Sequence, residues 1–299
     1  MVDQSMRIPE KQHPDKQAKK DYELLVGINE QKTQLLKTLQ MLLDEGRIDK
    51  WAKTHHKTTL SILMHLKNGS PLIILSGEVG CGKTALAQSV GTPLAELLGI
   101  KVKVFETPSN IRGNGLVGAI SSRITEVFES VLSKLKNDEV GLLVIDEADD
   151  LATSRSQNQA HHEDRAGLNV LIRQIDAVRK SGKRLAVIMI TNRVVVLDPA
   201  VRRRTSLHLI FDRPSGERLE ELLQSILQGT DYTKKEMDAL LKYCNAQSIP
   251  FSYSDLIQRV AKQALFEAVD QDVPFNAALF KQTLEKNEPT PLLGEQTIN

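Results

Sequence analysis

Gly77-Glu78-Val79-Gly80-Cys81-Gly82-Lys83-Thr84 reads G-x-x-x-x-G-K-T, and its flanks decide the fold. Ahead of it, Pro71-Leu72-Ile73-Ile74-Leu75-Ser76 is a short apolar run bounded by a proline and a glycine. Behind it, Ala85-Leu86-Ala87-Gln88-Ser89-Val90 opens a helix. Strand, glycine loop and helix in that order form a phosphate-binding loop. Its glycines let backbone N–H groups turn inward around phosphate oxygens, and the helix N-terminus adds positive dipole. The expected phosphate-contacting stretch is Gly77 to Ala85; Lys83 reaches the β- and γ-phosphates, and the Thr84 hydroxyl ligates Mg2+.

Outward from the loop, strands and helices alternate. Strands are expected at Leu72–Leu75, Lys101–Phe105, Gly141–Ile145, Leu185–Ile190 and Leu207–Phe211, with helices at Thr84–Leu98, Arg123–Lys136 and Gly167–Lys180. This is the βαβ rhythm of an α/β fold, a parallel five-stranded sheet with helices on its faces. Upstream, Leu35, Leu36, Leu39 and Leu42 repeat at helical spacing within Tyr22–Leu43, and a second helix is expected over Lys53–Leu66. After Pro214 the strand pattern stops and helices are expected at Gly216–Leu227, Thr233–Asn245, Ser252–Val269 and Asn276–Glu285. The domain map is therefore a flexible polar tail over 1–21, a large domain over 22–213, a small helical lid over 214–287 and a second tail over 288–299.

The run Gly141-Leu142-Leu143-Val144-Ile145 leads straight into Asp146-Glu147-Ala148-Asp149. Continuous apolar character suits a strand buried on both faces, and ligands bind at the C-terminal ends of such strands. Asp146 is expected to hold the water shell of Mg2+ and Glu147 to polarise the water that attacks the γ-phosphate; a turn or capping role is the competing reading. Asn192, behind Leu185–Ile190, can orient that water without adding charge, or serve as a turn residue. Arg202, Arg203 and Arg204 follow a proline-bounded turn at Leu197-Asp198-Pro199. They read as a solvated patch or as arginine fingers reaching a neighbour's nucleotide.

Composition excludes several classes. In 299 residues the formal net charge is +1, so no global basic field draws the chain to nucleic acid. Cys81 and Cys244 are far apart and one sits in the phosphate loop, so a reducing cytoplasm is expected rather than a disulfide framework. No apolar run reaches membrane-span length.

These pieces, in this order, resemble the AAA+ ATPases over about Tyr22 to Leu284. Gly77–Thr84 resembles Walker A, Leu142–Glu147 resembles Walker B, Asn192 is similar to sensor 1, and Leu197–Arg204 is similar to the second region of homology. Ser252-Tyr253-Ser254-Asp255-Leu256 resembles the sensor-2 helix, with Ser254 at the sensor position, and Val26-Gly27-Ile28 resembles the segment that contacts adenine, through Ile28. The resemblance implies ATP and Mg2+ as ligands, a homo-oligomer, most commonly a hexamer, and fingers at Arg203 and Arg204 acting in trans. Leu116-Val117-Gly118 is similar to the pore loop that grips polypeptide in the ring, with Leu116 where that family usually has an aromatic. Thr153 to Arg165 falls where a second pore loop would be, and His161 and His162 there read as solvated.

The stretch from Asp146 to Arg193 further resembles the HORMA-domain remodellers, including the compact bacterial ones of CBASS antiphage operons. That resemblance implies threading of a HORMA protein's N-terminus, opening of its closed form and restraint of a nucleotidyltransferase. The chain departs from that group by Ser254 where an arginine is usual, with Arg259 one helical turn on, and by three consecutive finger arginines. Two other readings are a DNA-associated AAA+ regulator of transposition or replication loading, and an ATP-gated scaffold. Near-neutral charge and the apolar Leu116-Val117 tip weigh against the first; intact Lys83, Asp146, Glu147 and Asn192 weigh against the second.

Overall fold

The computed structural model describes residues 8–58, 60–67, 69–108, 119–152 and 162–292. Leu116, Val117 and Gly118 lie outside the described residues, as do positions 153–161 of the second loop segment. Upstream of the phosphate loop the chain forms strand β1 (Glu10–His13) and helices α1 (Lys16–Glu23), α2 (Asn29–Leu43), α3 (Glu45–His56) and α4 (Ser61–Lys67). Then follow β2 (Leu72–Gly77), α5 (Lys83–Ser89), α6 (Gly91–Leu98), β3 (Val102–Glu106), α7 (Ala119–Lys134) and β4 (Val140–Ile145). Next come α8 (Asp149–Ala152), α9 (His162–Lys180), β5 (Leu185–Thr191), a 3-10 turn (Val194–Val196), α10 (Pro199–Arg202) and β6 (Thr205–Phe211). Helices α11 (Glu217–Ile226) and α12 (Lys234–Asn245), a π-helix (Asp255–Ala261), α13 (Lys262–Asp270) and α14 (Ala277–Glu285) complete the order.

The sheet has six strands in the order β1-β3-β4-β5-β2-β6, one more than the sequence pattern gives. Strands β3, β4, β5 and β2 pair in parallel, as the βαβ rhythm requires. Period-two alternation sorts the two faces. Phe105, Leu143, Ile145, Val187 and Met189 share one core with Phe128 and Val131 of α7 and Leu171 and Ile175 of α9. Each such fully buried side chain stabilises by roughly 1.5–3 kcal/mol.

The sixth strand corrects the expected N-terminal tail. The polar stretch carries β1, antiparallel to β3 from Glu10↔Phe105 to His13↔Val102, and then α1, whose first turn is capped by Asp15 accepting from the Ala18 amide at 2.8 Å. His13 anchors it. The imidazole is fully buried, and its Nδ1 lies 2.8 Å from the Thr92 hydroxyl of α6. The helix expected over Thr84–Leu98 is two helices, α5 and α6, and α6 starts against β1. A Cβ at Gly91 would lie 2.7 Å from the His13 ring and 2.8 Å from Val104, so only glycine lets α6 start so close to the sheet. The helix expected over Lys53–Leu66 is likewise two, α3 ending at Lys57 in the left-handed region at φ 56°.

The described residues divide into two compact units: those up to Tyr22 with Glu30–Ser76 and Thr84–Ile210, and Glu23–Asn29 with Gly77–Lys83 and those from Phe211 onward. The first holds the sheet and its covering helices. The second is helical apart from the phosphate loop; α12 begins with a capping box in which Thr233 accepts from the Glu236 amide and Glu236 accepts from the Thr233 amide. Among the described residues no helix is long and apolar enough to cross a membrane.

Candidate functional site

The phosphate loop is built by its glycines and pinned by its neighbours. Gly77, Gly80 and Gly82 all have positive φ. At Gly77, with φ 125°, a Cβ would lie 2.1 Å from the Phe211 carbonyl oxygen, so no side chain fits. Glu78 donates its amide to that same carbonyl at 2.9 Å. Lys83 is 5% exposed, and its ammonium donates to the carbonyls of Gly77 at 2.9 Å and Glu78 at 2.6 Å. Cys81 is buried beneath the loop; burial pushes its thiol up to about 11, against the opposing pull of Lys83 and Arg213.

Ile28, expected at adenine, and Ser254, expected at the sensor-2 position, both lie beside this loop. Ile28 is buried, and its Cδ1 lies 3.7 Å from where a Gly82 side chain would begin. Ser254 donates its amide to the Gly80 carbonyl at 3.0 Å, and the neighbouring Tyr253 hydroxyl donates to the Gly27 carbonyl at 3.0 Å. Ser254 leads into the π-helix, an insertion type that recurs at functional sites. Arg259, the other sensor-2 candidate, is engaged elsewhere: its guanidinium pairs with Asp255 at 3.2 Å and donates to the Glu288 carbonyl.

In the sheet-bearing unit, strands β4, β5 and β2 bring their C-terminal ends together. Thr84, in the first turn of α5, donates its hydroxyl to the Asp146 carboxylate at 2.8 Å. The other Asp146 oxygen accepts the Glu147 amide at 2.8 Å. Glu147 is exposed and sits at φ 51°, left-handed backbone that a non-glycine residue adopts at a cost of order 1–3 kcal/mol and that clusters at active sites. Asn192 is exposed at the end of β5, where Thr191 donates to Asp149 at 3.0 Å and the Arg193 amide donates back to the Thr191 hydroxyl at 2.9 Å. Among the described residues no group of three or more His, Cys, Asp or Glu stands ready for a metal ion. A hydroxyl–carboxylate pair fits Mg2+, which keeps most of its water and takes its remaining ligands from phosphate.

The three arginines differ. Asp198 caps α10 by accepting the Ala200 amide at 2.8 Å, with Pro199 at the first helical position. The helix then presents Arg202 and Arg203 to solvent. Arg204 turns back onto its own chain, donating to both Asp176 oxygens at 2.8 and 3.0 Å and to the Ala200 carbonyl at 3.0 Å.

Sequence reasoning missed Arg213. It is 6% exposed and pairs with Glu78 of the phosphate loop at 3.1 Å. An arginine before a proline is too weak a signal to single out. Over its described part, 288–292, the second tail is corrected as well: Thr290 donates its amide and its hydroxyl to Asp255, so that part is held. Burial pushes the Asp255 carboxyl up, but the hydrogen bonds from Thr290 and Ser252 outweigh it and hold the group below its ordinary range.

Residues 73–213 match the family described as "ATPase family associated with various cellular activities (AAA)". The chain is 35% identical over 292 residues to CD-NTase-associated protein 6 of Escherichia coli strain MS 115-1, covering 93% of each. A chain in the structure of the HORMA:CdnC:Trip13 complex of E. coli MS115-1 superposes with a TM-score of 0.87 at 33% identity, over 95% of this chain and 96% of that one. The structure of Rhizobiales Trip13 superposes with a TM-score of 0.75 at 30% identity, over 95% and 98%.

Proposed function

The chain belongs to the AAA ATPases, in the family of CD-NTase-associated protein 6, and from that premise we propose that it hydrolyses ATP with Mg2+ to remodel a protein partner. The partner class we infer is a HORMA-domain regulator of a CBASS nucleotidyltransferase. The observation that carries this reading is the full-length likeness to a chain of a HORMA:CdnC:Trip13 complex. In this reading the protein works in the cytoplasm as a hexamer.

Bound ATP–Mg2+ supplies the phosphoryl group and the Lewis acid. The residues fit it. Lys83 rests on two loop carbonyls, and an ammonium can exchange such neutral acceptors for phosphate oxygens at a net gain. Within Gly77–Ala85 the loop amides other than that of Glu78, which is given to Phe211, meet phosphate, and Ile28 and Ser254 complete the nucleotide's surroundings. Thr84 and Asp146, already hydrogen-bonded to each other, would hold the metal, the Thr84 hydroxyl as a ligand and the Asp146 carboxylate through the metal's water shell. Glu147 takes the proton of the attacking water, Asn192 orients that water, and Arg203 of a neighbouring copy neutralises charge on the transferring group. Arg204, tied to Asp176, supports the finger helix. Leu116, Val117 and Gly118 grip the polypeptide.

The test is a substrate trap. Glu147→Gln should bind ATP at parent affinity, hydrolyse it at least ~100-fold more slowly and retain a HORMA protein only when ATP is present. Lys83→Ala should lose nucleotide and partner together. Parent-rate hydrolysis by Glu147→Gln would remove the water-polarising role, and a trap that never retains a HORMA protein would remove the partner.

A further inference from the structure

Arg213 uses every donor it has. A guanidinium carries five N–H donors in a fixed fork. Nε and Nη2 donate to the Glu78 carboxylate at 3.3 and 3.1 Å, Nη1 donates to the carbonyls of Pro250 and Thr290, each at 2.7 Å, and Nη2 donates to the Pro291 carbonyl at 3.0 Å. A charge this deeply buried is tolerated only when paired and fully hydrogen-bonded. Two of its acceptors belong to the C-terminal segment. That segment is separately fastened: Arg259 donates to the Glu288 carbonyl, and Asp255 accepts the Thr290 amide and hydroxyl.

The other end of the network is the phosphate loop. The Glu78 amide goes to Phe211, its carbonyl receives the Lys83 ammonium at 2.6 Å, and its carboxylate receives Arg213. Every polar group of this one loop residue is therefore held by Lys83 or by the Phe211–Arg213 stretch. We propose that Arg213, braced by the segment Glu288–Pro291, is a positioning residue for nucleotide binding: it fixes Glu78, and through Glu78 the resting place of Lys83 and the aim of the loop amides. The C-terminal segment thereby sets ATP affinity without touching ATP. The proposal rests on the ATPase reading above.

Thr290→Ala and a chain ending at Asn287 loosen the brace without altering any loop residue. The first removes one hydroxyl bond to Asp255; the second strips Arg213 of two acceptors. Losing bonds of this kind to charged groups shifts an equilibrium by roughly 10-fold. The KM for ATP and the Kd for a fluorescent ADP analogue should rise about 3-fold in Thr290→Ala and ~10-fold or more in the shortened chain, with kcat within about 2-fold of the parent. Thr290→Ser, which keeps the hydroxyl, should restore parent values. Amide hydrogen exchange over residues 77–83 in nucleotide-free protein should quicken in the same order, a readout that survives if the ATPase reading fails. Unchanged KM, Kd and exchange in both variants would overturn the proposal. So would a fall in melting temperature with kcat and KM degraded together in Thr290→Ala, which would assign the segment to packing alone.

Discussion

Adjacent residues can sit in opposite surroundings, and Arg203 and Arg204 show it. Arg204 makes a two-pronged ion pair with Asp176, 33% exposed on the arginine side, while Arg203 points to solvent. Arg204→Ala should therefore lower the melting temperature by about 1–2 °C, equivalent to roughly 0.5–1 kcal/mol for an ion pair of that exposure. Arg203→Ala should leave the melting temperature unchanged and reduce hydrolysis by about 10³-fold, the scale of a lost finger. Differential scanning fluorimetry and a phosphate-release assay separate the two; the reverse pattern would exchange their roles. At this scale the sequence was legible where chemistry is local. Asp146 and Glu147 announce themselves because a strand delivers them, and Lys83 and Thr84 because glycines precede them. Arg213 was not legible, because its partners Glu78, Pro250, Thr290 and Pro291 are scattered along the chain and meet only after folding.

The same contrast governs whole elements. The central strands were read correctly because burial on both faces leaves unbroken apolar runs. Strand β1 has four residues, three of them exposed, and gives no such run. It is held by His13, whose burial, aided by the nearby charge of Lys11 and opposed by Asp15, lowers its pKa to about 4. In the unfolded chain a histidine titrates near 6.5. Between those values the unfolded state binds more protons, so stability is full above about pH 6.5 and falls as pH drops toward 4. His208, lowered by burial in the same direction, adds to the parent's slope. The melting temperature of the parent should thus decline between pH 7 and pH 4.5 more steeply than that of His13→Asn. Equal declines would show that His13 protonation does not oppose docking of β1.

Assembly belongs to the scale of the whole molecule. If Arg203 serves a neighbour's nucleotide, a lone chain is incomplete. Hydrolysis per chain should rise with protein concentration, and mixing Arg203→Ala with Lys83→Ala protein should recover part of the activity, since each lacks a different side of a shared site. A fully active monomer in sedimentation analysis would end this reading. The sequence marked where strands give way to helices, near Pro214, but not that Gly77–Lys83 cluster with the helical unit. That membership comes from the Phe211 and Ser254 backbone contacts, which leave no trace in composition. Both cysteines lie in this unit, and burial drives their thiols up to about 11 at Cys81 and about 12 at Cys244. An alkylating reagent at neutral pH therefore reacts with neither until the chain around it opens. Unmodified wild-type protein carries two chemical clocks, and nucleotide should slow the one at Cys81 more than the one at Cys244, timing how often the phosphate loop lets go.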